Sequence, residues 1–164
     1  MEKFTNNRDD YLNQIKTELL KYDLTENWKE IFIYAEIPFF LRYAFSYNWS
    51  VNSNSSKYRL KRKEWNAEYD HSRFNKGIYN LDRLAIVETE IQVNPEDQRF
   101  LASIEWNKVG TTKFEGIVLD GLVCELKIKK QKKSLNWNID DEMNKELADL
   151  VKLIRNWKRE LKEL

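Results

Sequence analysis

The stretch Phe39-Phe40-Leu41-Arg42-Tyr43-Ala44-Phe45-Ser46-Tyr47-Asn48-Trp49-Ser50-Val51 decides the fold. Every odd position in it is large and apolar or aromatic. The even positions drift from Phe40 through Arg42, Ala44, Ser46 and Asn48 to Ser50. A period of two belongs to a β-strand with one face in a core and the other towards water. Aromatic and β-branched residues suit such a pleated, half-buried surface, whereas a helix would scatter these rings around its circumference.

On the N-terminal side, residues 28–37 fit two templates. Trp28, Ile31, Phe32 and Ala35 make a helical stripe, and Ile31, Ile33, Ala35 and Ile37 make an alternating strand. The β-formers Ile31-Phe32-Ile33-Tyr34 favour the strand, and Pro38 breaks the chain before the aromatic strand. Upstream, Tyr11, Leu12, Ile15, Leu19 and Leu20 line one side of a helix over about 8–21, with Asp9 and Asp10 in its first turn.

On the C-terminal side, Asn52-Ser53-Asn54-Ser55-Ser56 is a polar turn, and 57–69 returns antiparallel. Tyr58 and Leu60 are apolar at even positions there, but Trp65, Ala67 and Tyr69 at odd ones. A β-bulge within Lys61-Arg62-Lys63-Glu64 would restore one inward face. Residues 70–83 read as a loop turning at Lys76-Gly77, 84–93 as a strand, Asn94-Pro95-Glu96-Asp97 as a turn and 99–107 as a returning strand. Asp120-Gly121 between 113–119 and 122–130 signals a type I′ hairpin. A lysine-rich connector, 130–134, then leads into Leu135-Asn136-Trp137-Asn138.

Met143, Leu147, Leu150, Ile154, Trp157, Leu161 and Leu164 recur at steps of four and three, one apolar stripe of a long final helix with Asn138 or Asp140 as its cap. The same seam admits a coiled-coil dimer, so a monomer or a dimer is expected. Packing across the chain's own sheet is preferred, because a one-sided antiparallel sheet needs a cover. The expected fold is therefore α+β: residues 1–164 as one domain, with an antiparallel sheet of about six strands covered on one face by the long C-terminal helix and the short N-terminal helix.

Composition excludes several classes. A formal net charge of +1 gives no global field for nucleic acid or an acidic partner. The one cysteine, Cys124, excludes an internal disulfide framework and fits a reducing compartment. Met1 to Arg8 carry no apolar signal core, and no apolar run approaches the roughly 20 residues that span a bilayer. A cytoplasmic protein away from membranes is expected. Six Trp, eight Tyr and eight Phe exceed what a core of this size usually needs, so either the core is aromatic-rich or some rings anchor a partner.

Chemistry is sparsely signalled. The only histidine lies in Asp70-His71-Ser72, and neighbours in sequence do not make the convergent geometry of a triad. Cys124 alternates with core residues and reads as a small buried hydrophobe. Glu88, Glu90 and Glu105 read as a solvated strand face rather than paired catalytic carboxylates. No Cys/His spacing supports zinc, and the four glycines form no phosphate loop. No catalytic residue, metal or cofactor is expected, and a non-enzymatic role is preferred. A cavity between helix and sheet that holds a ligand is a third class.

Two basic runs stand out. Lys57, Arg59, Lys61, Arg62 and Lys63 fall in one strand, and Lys127, Lys129, Lys130, Lys132 and Lys133 at the end of another. If those ends meet, they make a cationic patch beside Tyr58, Trp65 and Trp137, the kind of surface that takes single-stranded nucleic acid. Lysines on edge strands also serve to block aggregation.

Residues 12–15, Thr25-Glu26-Asn27-Trp28-Lys29-Glu30-Ile31-Phe32-Ile33-Tyr34-Ala35-Glu36-Ile37 and Tyr43-Ala44-Phe45-Ser46-Tyr47 together resemble the opening of the YezG-like immunity family. Those are small bacterial cytoplasmic proteins that neutralise a cognate polymorphic toxin. The resemblance covers about residues 12–49 and ends by Asn54. It implies an immunity protein or inhibitor that occludes a toxin or effector protein, with no catalytic motif to carry over. The alternative expectation is a nucleic-acid or polyanion binder using 57–63 and 127–133.

Overall fold

The computed structural model describes residues 1, 3–22, 27–38, 42–67, 70, 77–82, 84–111, 122–138 and 142–160, the last three as backbone. In chain order the elements are β1 (Phe4–Thr5), α1 (Arg8–Leu19), β2 (Trp28–Pro38), β3 (Tyr43–Asn52), β4 (Tyr58–Asn66), β5 (Tyr79–Asn80), β6 (Ile86–Ile91) and α2 (Pro95–Ser103). A 3₁₀ turn (Trp106–Lys108), β7 (Leu122–Ile128), β8 (Lys133–Asn138) and α3 (Lys145–Glu160) follow. Among the described residues, six strands form one sheet in the order β6-β4-β3-β2-β7-β8, every pair antiparallel. The expected α+β class is the observed one. Strands β1 and β5 form a separate two-residue ladder.

The alternation in β3 sorts its side chains as expected, but both faces are covered. Phe45, Tyr47 and Trp49 lie under α3 with Phe32, Tyr34, Leu126 and Ile128 from neighbouring strands. The stripe of α3 completes that core through Leu147, Leu150, Ile154 and Trp157, all 3% exposed or less. Its seam is thus occupied within the chain, by packing on its own sheet. The cap is Asn144, whose Oδ1 accepts the Leu147 amide at 3.1 Å, rather than the expected Asn138 or Asp140.

Helix α1 takes the opposite face. Tyr11, Ile15 and Leu19 pack with Ala35, Ile37, Ala44 and Trp65 in a second core. The short side chains Ala35, Ala44 and Ser46 let the helix approach the strands. The even positions of β3, expected to meet water, are consequently buried: Ala44, Ser46, Asn48 and Ser50 are all 5% exposed or less. Asn7 caps α1, its Oδ1 accepting from Asp9 and Asp10 at 2.9 and 3.4 Å.

The same two-sided burial removes the need for a bulge in β4. Its register runs without a shift against β3 from Tyr58 to Asn66 and against β6 from Leu60 to Trp65. Leu60 faces the α3 core and Trp65 the α1 core, so the change of parity records a change of partner. The shift that does occur lies in β2, between Glu30 and Phe32, and makes Ile31 the extra residue.

Residues 95–103 form a helix where a turn and a strand were expected. Asn94 Oδ1 accepts the Asp97 amide at 2.8 Å, Pro95 opens the helix, and Glu96 and Asp97 sit in its first turn. Each is a helix-start signal. The expected strand over 113–119, the Asp120-Gly121 turn and the Lys76 turn position lie outside the described residues. Among the described residues the sheet's sixth strand is β8, which returns from β7 through a turn with Lys132 at φ 48°.

Candidate interaction surfaces

Burial sorts the basic residues first. Arg59, Lys61 and Lys63 alternate along β4 on the α1 side of the sheet, and Lys127 lies on that same side of β7. Register places Lys127, Ile33, Asn48 and Lys61 in one row across β7, β2, β3 and β4. Three strand spacings therefore separate the two basic runs, roughly 14 Å. They share a face without meeting. Their stems cover polar ground: Glu30 and Asn48 beneath them are each 5% exposed. The Arg59 guanidinium lies 4.1 Å from the Trp28 ring centre and Lys129 Nζ 5.3 Å from that of Tyr22. Lys63 Nζ donates to the Glu18 carbonyl at 3.3 Å, at the negative end of the α1 dipole. Lys57, Lys129 and Lys130 are exposed.

The two tryptophans expected beside the cations are core residues on opposite faces. Trp65 is fully buried against α1, and Trp137 is 4% exposed under α3, its ring 6.2 Å from that of Tyr34. Neither offers a face for a base to stack on. Trp49 and Trp157 are buried too, and Trp28 and Trp106 are half-buried, so the tryptophans lie chiefly in the core. Asp70 turns inward as well: its Oδ2 accepts the Tyr11 hydroxyl and, at 3.2 Å, the Trp65 indole N–H. Its sequence neighbours His71 and Ser72 lie outside the described residues.

Arg62 points to the α3 side, away from the other cations of β4, and joins a buried polar cluster that sequence reasoning missed. Its guanidinium pairs with Glu64 at 2.8 Å, donates to the Tyr43 hydroxyl, and lies 5.5 and 5.7 Å from the ring centres of Phe45 and Tyr47. The Tyr34 hydroxyl donates to Glu36 Oε1 at 2.8 Å, with Cys124 Sγ 3.8 Å away. The Tyr47 hydroxyl is buried without a hydrogen-bond partner among the described residues. Burial pushes Tyr47 up to about 12, with Arg62 opposing and Tyr43, Glu36 and Glu64 adding. Tyr34 moves the same way, through burial first and then Cys124 and Glu36. These phenols stay protonated at neutral pH and serve as packing groups and donors rather than bases. Glu36 inside the apolar run 31–37 was the available signal. A lone carboxylate between Ala35 and Ile37 has to find a donor.

The sheet's β6 edge differs from everything else on the surface. Its inner side pairs with β4 from Leu60–Ile91 to Trp65–Ile86, and no described strand pairs with its outer side. Val87, Glu88, Thr89 and Glu90 are exposed in succession, Val87 at 53%. A cleft of about 340 Å³ flanks this edge on the α1 side, with Glu18, Asp82 and Glu88 in its lining. A cleft of about 400 Å³ flanks it on the α3 side, lined by Tyr58, Leu60, Ile91 and Val93 among others. Glu88 is bonded to Lys61 at 2.8 Å.

Among the described residues no group of three or more His, Cys, Asp or Glu side chains could hold a metal ion, and no helix is long and apolar enough to cross a membrane. No protein-family model matches the chain, and no curated protein or solved structure matches it.

Proposed function

We propose that the chain is a small non-enzymatic binding protein that occludes a partner protein, most concretely an immunity protein or inhibitor of a bacterial toxin or effector. The observation that carries the reading is the β6 edge: four successive exposed residues beside two open clefts. A strand edge that no described strand pairs with is a template for another chain. The resemblance of residues 12–49 to the YezG-like family supports the same reading, and the buried single cysteine suits a reducing cytoplasm. Occlusion needs rigid backing, which the doubly covered sheet supplies.

The test is a tagged capture from native lysate, washed at low and then high salt, with the eluate read for protein and nucleic acid. The captured protein is then assayed for its own activity while the binder is titrated in. Loss of that activity at one equivalent is the expected result. A partner that keeps its activity, or that binds as well after its active-site cleft is deleted, would overturn occlusion.

A second reading, a polyanion binder, draws on the shared face of Lys61 and Lys127. It requires affinity that falls steeply with salt and collapses when Lys127, Lys129 and Lys130 are changed to Glu. Nucleic acid that leaves the captured protein in the salt wash would favour it.

A further inference from the structure

We infer that the β6 edge is completed by an extended segment of a partner protein whose residues alternate between lysine or arginine and apolar side chains. The inference rests on the protein-binding reading above and names the partner's chemistry.

The sheet's own charge pattern sets the occupant. On the α1 side, Lys63 of β4 stands opposite Glu88 of β6, and Lys61 opposite Glu90. Crossing the sheet outwards, each of these rows reads cation then anion. An ionised carboxylate has two oxygens and can accept from cations on either side. The next position in each row, one strand spacing beyond β6, therefore calls for a cation, and oppositely charged cross-strand pairs stabilise a ladder. Glu18, Asp82 and Glu88 line the cleft on that side beside Lys63. Lys63 donates to the Glu18 carbonyl, Glu18 pairs with Lys21 at 3.5 Å, and Asp82 accepts the Lys3 amide at 2.6 Å, so Glu88 and Glu90 are the acids that call for a cation.

On the α3 side the same strand offers Val87 and Thr89, with Tyr58 and Ile91 along the adjoining cleft. Tyr58 stacks on Trp49 at 5.0 Å with rings 3° from parallel, and it remains 39% exposed. That side suits apolar side chains. An incoming strand alternates its faces, so basic residues on one parity and apolar residues on the other match both sides at once.

A second copy of this chain fits poorly. In antiparallel self-pairing that keeps the α1 side of both copies on one face, the register centred on Thr89 sets Glu88 opposite Glu90 and Glu90 opposite Glu88 of the other copy, and like charges opposed across a ladder destabilise it. Three further guards are missing from the strand itself: Ile86–Ile91 contains no proline and no lysine, and its ladder with β4 has no bulge. The acids thus repel one class of strand and attract another.

The test uses the full chain and three synthetic hexapeptides with blocked ends: alternating Lys and Val, alternating Glu and Val, and alternating Lys and Gly. Amide chemical shifts and hydrogen exchange locate the binding. The Lys/Val peptide is expected to protect amides within 87–90 and to shift the signals of β6, and the Glu/Val peptide to do neither. The Lys/Gly peptide, with equal charge but poor strand propensity, is expected to bind at least about tenfold more weakly. Glu88→Lys with Glu90→Lys should abolish the protection. Glu90→Lys alone, which leaves the Lys61–Glu88 bridge in place, should weaken binding severalfold and guard against misfolding of the double variant. Equal binding of the Lys/Val and Lys/Gly peptides, or shifts centred away from β6, would overturn the inference. A natural partner retained equally by the wild type and by Glu90→Lys would also overturn it while leaving the protein-binding reading intact. Peptide binding at β6 with no partner that is inhibited would do the reverse.

Discussion

Replacing Asp70 by Ala tests the joint between α1 and the sheet. Asp70 is 1% exposed, and its Oδ2 accepts from Tyr11 of α1 and Trp65 of β4, both fully buried. Alanine leaves two donors in the second core. A buried donor without a partner costs about 1–3 kcal/mol, so the loss from both is about 2–6 kcal/mol. Removing a buried charge relieves desolvation and offsets part of this, which places the expected loss near 3 kcal/mol. Urea denaturation followed by Trp fluorescence measures it, with an unchanged m-value showing that the two-state comparison holds. The cycle with Tyr11→Phe isolates the mechanism. In the Phe background only the Trp65 indole is orphaned, so Asp70→Ala should cost about 1–3 kcal/mol less than in the wild type. A change within about 0.5 kcal/mol for Asp70→Ala, or no coupling to Tyr11, would refute this account and make the carboxylate a passive occupant of its site.

Tyr47→Phe should be neutral or stabilising by up to about 1 kcal/mol, since the hydroxyl it removes is buried without a described partner. It should also flatten the alkaline limb of stability. The Tyr47 phenol is raised from 10.0 to about 12, so the unfolded chain ionises first and wild-type stability falls as pH rises from 10 towards 12. Thermal melts between pH 9 and 12 compare the two proteins, and a steeper limb in the variant would contradict the assignment. Leu150→Ala should cost about 2–5 kcal/mol in urea melts, because its fully buried side chain lies between α3 and the sheet. Asn144→Ala should cost about 1–2 kcal/mol: the residue caps α3 and also accepts the Gly110 amide at 3.2 Å. A loss below about 0.3 kcal/mol would mean that water replaces the cap at no cost.

The long-period and short-period patterns were legible because each answers to one partner surface. The α3 stripe and the odd positions of β3 meet in one core, and each predicts the other. The second core was harder to see because its sheet side, beside Ile37 and Trp65, includes Ala35, Ala44 and the buried Ser46, residues that look merely polar or small in a strand. Smallness there is what admits α1. With only one covered face in mind, the parity change in β4 called for a bulge. With two, it needs none. The miss at 95–103 has a local cause: Asn-Pro-Glu-Asp serves as well for a turn as for a helix start, and Phe100 with Ile104 fits a step of four as well as a step of two. Trp65 and Trp137 were read as surface partners of the cations on sequence proximity alone, and pleat geometry turned each into a core.

Covering both faces of the sheet also decides where recognition can occur. Its side chains are largely committed to α1 or α3, so the strand ends, the turns and the two edge strands remain. Those edges are not equivalent. The β7–β8 side ends in Lys129, Lys130, Lys132 and Lys133, with Lys133 Nζ donating to the Val109 carbonyl. The β6 side carries Glu88 and Glu90 without a lysine of its own. A net charge of +1 thus conceals a lysine-rich β7–β8 turn at one side of the sheet and, at the other, an edge strand with two acids backed one strand in by Lys61 and Lys63. Screening reduces such a field over about 10 Å at 0.1 M salt, so it acts on partners already close and favours one orientation of approach. At β6 an approaching basic strand meets Glu88 and Glu90 before the β4 lysines, whereas at the β7–β8 turn it meets lysines first, where a nucleic acid would find its countercharge. That opposition makes the two functional readings separable by reversing charge at one edge at a time.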